Sequence, residues 1–213
     1  MSLSTLMKRR LGLLAVPAAA ALLTVAAAAP AHAAPLDILY DANGTTVVAS
    51  TGSQLPVGPA VLDTTLETTT GAFTGSLALP GAHTEFKAAG FIPMSADVSF
   101  EEAAPTTGTL KPHPEGGGSY VEATSYYNVR LTNIKVVGFP TFSGPFCRTV
   151  EPVAIPVATP EGERFGVFTG GRLTGTYSIG DFQNCGLNTW LVNALVPGDG
   201  NTIELNLTNP RRG

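Results

Sequence analysis

The chain is short of the residue types that build most active sites. In 213 residues there are three histidines, two cysteines and one tryptophan, and only 13% of positions are charged. Cys147 and Cys185 do not form a C-x-x-C pair and have no histidine near them, so neither a redox pair nor a zinc site has local support. A G-x-S-x-G elbow, an S-x-x-K motif with plausible partners and an H-E-x-x-H helix are all missing. Sustained helical periodicity is missing too, which points away from helical and α/β folds.

An excess of positive charge is also absent. The chain has 12 Lys+Arg against 16 Asp+Glu. Three of the cations, Lys8, Arg9 and Arg10, head an apolar stretch, Leu11 to Ala29, that ends in Pro30 and the triplet Ala31-His32-Ala33. A cationic segment, an apolar segment and small residues at the two positions a signal peptidase reads predict a cleaved export signal over 1–33, cut between Ala33 and Ala34. About 20 apolar residues could also span a bilayer as a retained anchor, but the alanine richness, Pro17 and the cleavage-like triplet favour removal. Arg9-Arg10 has the look of a twin-arginine signal, whereas Leu11-Gly12-Leu13 starts an ordinary apolar segment, so general secretion is expected.

Without Lys8, Arg9 and Arg10, 9 Lys+Arg face 16 Asp+Glu in residues 34–213, a net charge of −7. That balance excludes nucleic acid, which needs a basic face, and argues against docking on anionic lipid by charge alone. The remaining length suits one domain. Export licenses a disulfide between Cys147 and Cys185, and closing that loop stabilises by about 4 kcal/mol in the chain-entropy picture.

Alternation of apolar and polar residues, the period of a half-buried strand, recurs throughout 34–213. Leu36, Ile38 and Tyr40 open one face, Asp41-Ala42-Asn43-Gly44 reads as a turn, and Thr45 to Val48 is β-branched. Leu62, Thr64 and Leu66, the turn Thr69-Thr70-Gly71, then Phe73, Gly75, Leu77 and Leu79 predict a hairpin. Ile92 to Phe100 is the clearest strand, with Pro93 at its start or on an edge because it lacks an amide hydrogen. After a loop over 111–118, a long strand runs from Val121 to Leu131; the phase then slips to Ile134 and Val136, which predicts a bulge near Asn133.

A second hairpin is read with Phe165 and Val167 rising to Gly170-Gly171 and Leu173, Gly175, Tyr177 and Ile179 descending. One short helix is expected over Thr189 to Leu195, then a last strand with Ile203, Leu205 and Leu207 inward and a frayed Pro-Arg-Arg-Gly tail. Many strands joined by Gly- and Pro-rich turns predict an all-β fold. A single antiparallel β-sandwich, immunoglobulin-like or jelly-roll-like, is preferred over a closed barrel because the strand lengths are uneven.

Candidates for chemistry are scattered. His83 and Glu85 share a strand face and could form an acid–base pair or co-ligate a cation, with no third partner in view; exposed strand residues are the plainer reading. His113 lies between prolines beside Gly116-Gly117-Gly118, a poor place to hold catalytic geometry. Glu101 and Glu102 point to opposite faces, and Glu161 and Glu163 sit on a solvated approach, so a glycosidase pair would need distant carboxylates. Asp199-Gly200-Asn201 with Glu204 offers oxygens without the spacing of a calcium loop and is explained by turn chemistry. No catalytic residue, metal ligand or cofactor is nominated. Phe139, Phe142 and Phe146 before the first cysteine, and Trp190 after the second, either line an apolar groove or plug one end of the fold, and the plug is expected. Of Tyr126 and Tyr127, one is expected to be exposed.

Phe146-Cys147-Arg148-Thr149, Leu173-Thr174-Gly175-Thr176-Tyr177, Phe182-Gln183-Asn184-Cys185-Gly186-Leu187 and Gly200-Asn201-Thr202, with Gly90-Phe91-Ile92-Pro93 upstream, resemble small secreted proteins of actinobacteria. The resemblance covers most of residues 34–213. It implies an envelope or extracellular location and is in keeping with a Cys147–Cys185 bond, but carries over no activity and no functional residue. The expected function is a non-enzymatic binding or structural module for an envelope or extracellular ligand, with no membrane span after cleavage and the oligomeric state left open. The rivals are a carrier of apolar ligands such as envelope lipids and a secreted hydrolase with dispersed carboxylates.

Overall fold

In the computed structural model, residues 34–213 are described except positions 89 and 142. The expected export signal, including Ala33, lies outside the described residues, and Ala34 stands exposed at their start.

The alternating segments become strands. In chain order they are β1 (Leu36–Val48), β2 (Ser53–Pro56), β3 (Ala60–Leu66), β4 (Ala72–Leu77) and β5 (Ala82–Ala88), then the long β6 (Ile92–Pro112) and β7 (Ser119–Val136). Two short pieces follow, β8 (Phe139–Pro140) and β9 (Arg148–Thr149), and then β10 (Val153–Ala158), β11 (Gly171–Ile179) and β12 (Phe182–Gln183). A 3-10 turn (Gly186–Asn188), helix α1 (Thr189–Leu195) and β13 (Gly198–Arg212) finish the chain.

The pairings are antiparallel throughout, so the expected all-β antiparallel class, with its one short helix at the expected residues, is what the structure shows. The hydrogen-bonded path also closes on itself. It runs β7–β10–β11–β13–β1–β3–β4–β6 and returns from β6 to β7. Closure leaves the ring without long free edges, and it is compatible with two layers packed face to face and joined on both sides. The ring seam with the fewest registered pairs is β10–β11, where Ala158↔Thr174 is the registered pair.

One core fills the ring, because the inward residues of the ring strands are mostly apolar, with Thr46, Thr64 and Thr106 buried among them. Tyr127 is buried almost completely, its hydroxyl donating to Leu77 O at 2.7 Å and its ring edge-on to Phe100 at 6.3 Å. Burying side chains of this size is worth about 2–3 kcal/mol each. Tyr40 packs 5.8 Å from Phe165 and donates to Val167 O at 2.7 Å, so the 165–167 loop is pinned to β1. Two apolar spaces of about 60 Å³ each remain, one inside the ring between Ile38 and Val121, the other under α1 beside Met94 and Ile134.

Several local expectations are corrected. Asp41 to Gly44 is no turn: β1 runs straight through it, paired with β13 on one side and with β3 and β2 on the other. Gly44 is required by contact instead, since a Cβ there would lie 1.9 Å from Glu204 O. Phe165 and Val167 form isolated bridges at most, and β11 pairs with β13 and the unexpected β10. The C-terminal tail is paired, with Arg212 opposite Ile38 and Arg211 Nη1 donating to Asp41 Oδ1 at 2.6 Å. The bulge near Asn133 is present: its φ is 51°, and the β6–β7 register jumps from Ser95↔Lys135 to Asp97↔Thr132.

Candidate functional site

Cys147 and Cys185 form a disulfide, and both are fully buried. Around this staple one end of the ring is built from three segments. The first is the β5–β6 turn, which carries Phe91. The second is the stretch from β7 to β9, which carries Val137, Phe139 and Phe146. The third runs from the 3-10 turn into α1 and carries Leu187 and Trp190.

Backbone contacts hold these segments together. Val137 N donates to Pro93 O at 2.8 Å, so the β5–β6 and β7–β8 turns sit side by side. Leu131 N donates to Cys147 O at 2.9 Å, and Arg130 Nη2 donates to Pro145 O at 2.6 Å, which lays the loop before the first cysteine along β7. Gly144 is glycine because a Cβ would lie 2.4 Å from Asn184 O, where the two cysteine-bearing segments touch. The helix then turns Val192 inward over the apolar space beside Met94 and Ile134. Asn193 fixes it to β12 by accepting from Phe182 N at 2.7 Å and donating to Phe182 O at 3.1 Å.

The aromatics expected to plug this end do not. The seal is made by Phe182, Val192 and the two cysteines, all nearly inaccessible, while Phe139 is 74%, Phe146 68% and Trp190 72% exposed. Phe91 at 74%, Leu187 at 80% and Val137 at 56% join them. The physical reason is turn geometry: these residues lie in hairpin tips and on the outer side of a helix that has one inward face. Phe142 lies outside the described residues. Tyr127 is the inward tyrosine of its pair and Tyr126 is half-buried.

The polar candidates go elsewhere. His83 and Glu85 do share the outer face of β5, with Nε2 3.8 Å from Glu85 Oε1, and a third partner exists after all. Asp97, opposite His83 on β6, lies 2.6 Å from Nδ1 and accepts from Asn133 Nδ2 at 2.6 Å. The Asn133 amide first, and His83 second, hold the Asp97 carboxyl below its ordinary range. Among the described residues no hydroxyl or thiol hydrogen-bonds to His83, so the group is an exposed His–Asp–Asn link across three strands. Only the β5–β6 register could have revealed Asp97, and alternation does not specify register between strands.

His113 accepts from Glu115 N at 3.3 Å within its own turn. Glu101 pairs with Arg130 at 3.2 Å, Glu102 accepts from Ser76 Oγ at 2.6 Å, and Glu163 is engaged by Arg172, whose guanidinium holds that carboxyl low. Asn201 is a buried clip: Ala49 N donates to its Oδ1 at 3.0 Å while its Nδ2 donates to Tyr177 O at 3.1 Å and Gly198 O at 2.9 Å. Among the described residues no three His, Cys, Asp or Glu side chains converge as a metal site requires, and no helix is long and apolar enough to cross a membrane.

Six of the nine exposed large apolar side chains among the described residues thus gather at the stapled end, while Phe168 is exposed beside Leu36. Compared with protein-family models, with curated proteins and with solved structures, the chain matches none.

Proposed function

We propose that the chain is an exported, non-catalytic binding module of the cell envelope or extracellular space, and that it engages its partner with the apolar rim around the Cys147–Cys185 staple. The observation that carries this is the gathering of Phe91, Val137, Phe139, Phe146, Leu187 and Trp190 at one end, each more than half exposed. Exposed apolar groups of this size cost solubility unless something covers them. The binding reading is favoured over a carrier because the two interior spaces, about 60 Å³ each, are far smaller than the roughly 300–1,000 Å³ of typical ligand pockets. It is favoured over a hydrolase because the carboxylates Glu101, Glu102 and Glu163 are each tied to a cation or a hydroxyl.

The test uses protein exported by its own host. Intact mass is expected to start at Ala34 and to show no bound ligand of lipid size. The wild-type protein should fractionate with the envelope, and Phe91→Ser with Phe139→Ser should shift it to the medium. Equal retention of the double variant, or a reproducible hydrolytic turnover lost with Asp97→Asn, would overturn the proposal.

A further inference from the structure

We infer that the partner of the rim is the surface of a lipid bilayer carrying anionic headgroups. The inference rests on the reading of the rim as a binding site and adds the chemistry of what it binds.

Charge is the first ground. Residues 34–213 carry 16 acids and 9 Lys+Arg, yet the segments that build the stapled end hold none of the acids. Positions 86–96 contain Lys87, positions 134–150 contain Lys135 and Arg148, and positions 182–198 contain no charged residue. The acids nearest in sequence, Glu85, Asp97, Glu151, Asp181 and Asp199, all fall just outside these segments. Lys87, Lys135 and Arg148 are exposed. An acidic domain thus presents one end that is apolar and poor in acids, with Glu85 across Ser95 from Lys135 and Asp97 within reach of the Lys135 charge. At physiological salt, charges more than about 8 Å away are largely screened, so beyond Glu85 and Asp97 the acids weigh little on a surface that meets this end first.

The residue types are the second ground. Trp and Phe at the ends of turns, flanked by Lys and Arg, match the headgroup region, which accepts an amphipathic ring and pairs a cation with phosphate. A second copy of the chain fits poorly. In a two-fold contact the same patch faces itself, so Lys87, Lys135 and Arg148 would oppose their own copies, with Glu85 and Asp97 the acids near Lys135.

Trp190 is the single tryptophan and lies in the rim, so its emission reports burial of the rim directly. The probes are vesicles of phosphatidylglycerol with phosphatidylcholine, and vesicles of phosphatidylcholine alone. We expect a blue shift and co-sedimentation with the first, and partitioning about a hundredfold weaker with the second, at about fivefold per cation for three cations. Lys87→Gln with Lys135→Gln should weaken partitioning about 25-fold by the same figure, and Phe91→Ser with Phe139→Ser should abolish it. All four positions are at the surface, and an unchanged urea midpoint confirms the variants are folded.

Equal partitioning into both vesicles overturns the anionic assignment. A blue shift that depends on protein concentration without vesicles overturns it in favour of self-association. Absence of vesicle binding, with envelope retention still lost in the Phe91→Ser/Phe139→Ser protein, overturns the lipid partner while leaving the rim as a site for another macromolecule. Absence of vesicle binding together with envelope retention of the Phe91→Ser/Phe139→Ser protein equal to wild type overturns the rim itself.

Discussion

Asn201 shows how a single polar residue can hold one end of this fold. It is fully buried where β13 begins, and its amide satisfies one N–H and two carbonyls that come from the β1–β2 turn, β11 and the first residue of its own strand. Asn201→Ala would leave all three without partners in a dry place, at a cost of about 3 kcal/mol, read as a lowered urea midpoint. Asn201→Asp is the sharper probe. Its carboxylate would face the Tyr177 and Gly198 carbonyls, so the neutral acid is the form the folded state prefers and its folded pKa is raised above the unfolded value. That variant should be more stable near pH 4 than at pH 7, the reverse of a salt-bridged acid; equal stability at the two pH values would mean that water reaches the site. In the sequence Asn201 reads as a turn residue beside Asp199 and Gly200, but these residues lie within β13, where its pairing with β11 shifts register between Tyr177 and Ile179. What the local pattern could not contain is the reach of the side chain to residues about 25 and 150 positions away.

Strand contacts decide where glycine is needed, and Gly175 in β11 is the severest case beside Gly44. A Cβ at Gly175 would lie 1.9 Å from Pro156 O of β10, across the ring seam with the fewest registered pairs. Gly175→Ala should force β10 outward and cost about 3 kcal/mol, in the range of overpacked sites, with faster amide exchange along β10. Gly44→Ala meets Glu204 O in a seam of nine registered pairs, β1–β13, and should lower stability without opening that seam. Equal exchange rates in wild type and Gly175→Ala would show that the seam does not depend on this approach. Such glycines also explain where element boundaries were legible and where they were not. The hairpin of β3 and β4, the strand from Val121, the bulge at Asn133 and the helix Thr189–Leu195 follow from local periodicity and turn chemistry, and those local rules hold there. Asp41-Ala42-Asn43-Gly44 and the Thr-Gly at 174–175 carry the same composition as turns, but serve close approach between strands. β10 was hidden by Pro152, Pro156 and Pro160, which interrupt its alternation of Val153, Ile155 and Val157; the proline at 156 is tolerated because its carbonyl, and with it the position of its missing amide hydrogen, faces β11, where only Ala158↔Thr174 is registered.

At the scale of the molecule the interior and the surface have different pH limits, and both follow from which groups closure buries. Three tyrosines point inward. Burial pushes Tyr40 up to about 12 and raises Tyr127 and Tyr177 as well. In the unfolded chain tyrosine ionises near pH 10, so above that pH the unfolded state has lost protons the native state keeps, and stability falls as pH rises. On the outside, the carboxyls of Asp41, Asp97 and Glu163 are held low, chiefly by hydrogen bonds from Arg211, Asn133 and Arg172 respectively. Here the unfolded state takes up protons first, from about pH 4 downward, so stability falls as pH drops. Because these carboxylates are exposed, their links are screened and individually weak, whereas ionising a core tyrosine places charge in an apolar interior. The urea midpoint should therefore hold level between about pH 5 and 9, sag gently below about 4 and fall steeply above about 10. Tyr40→Phe removes one of the three buried hydroxyls at the cost of its bond to Val167 O and should make the alkaline limb shallower while leaving the acid limb unchanged. A tyrosinate absorbance that develops fully while near-ultraviolet dichroism stays native would contradict this, because it would mean solvent enters the ring without unfolding it. The filled interior would then no longer be an argument for placing function at the rim.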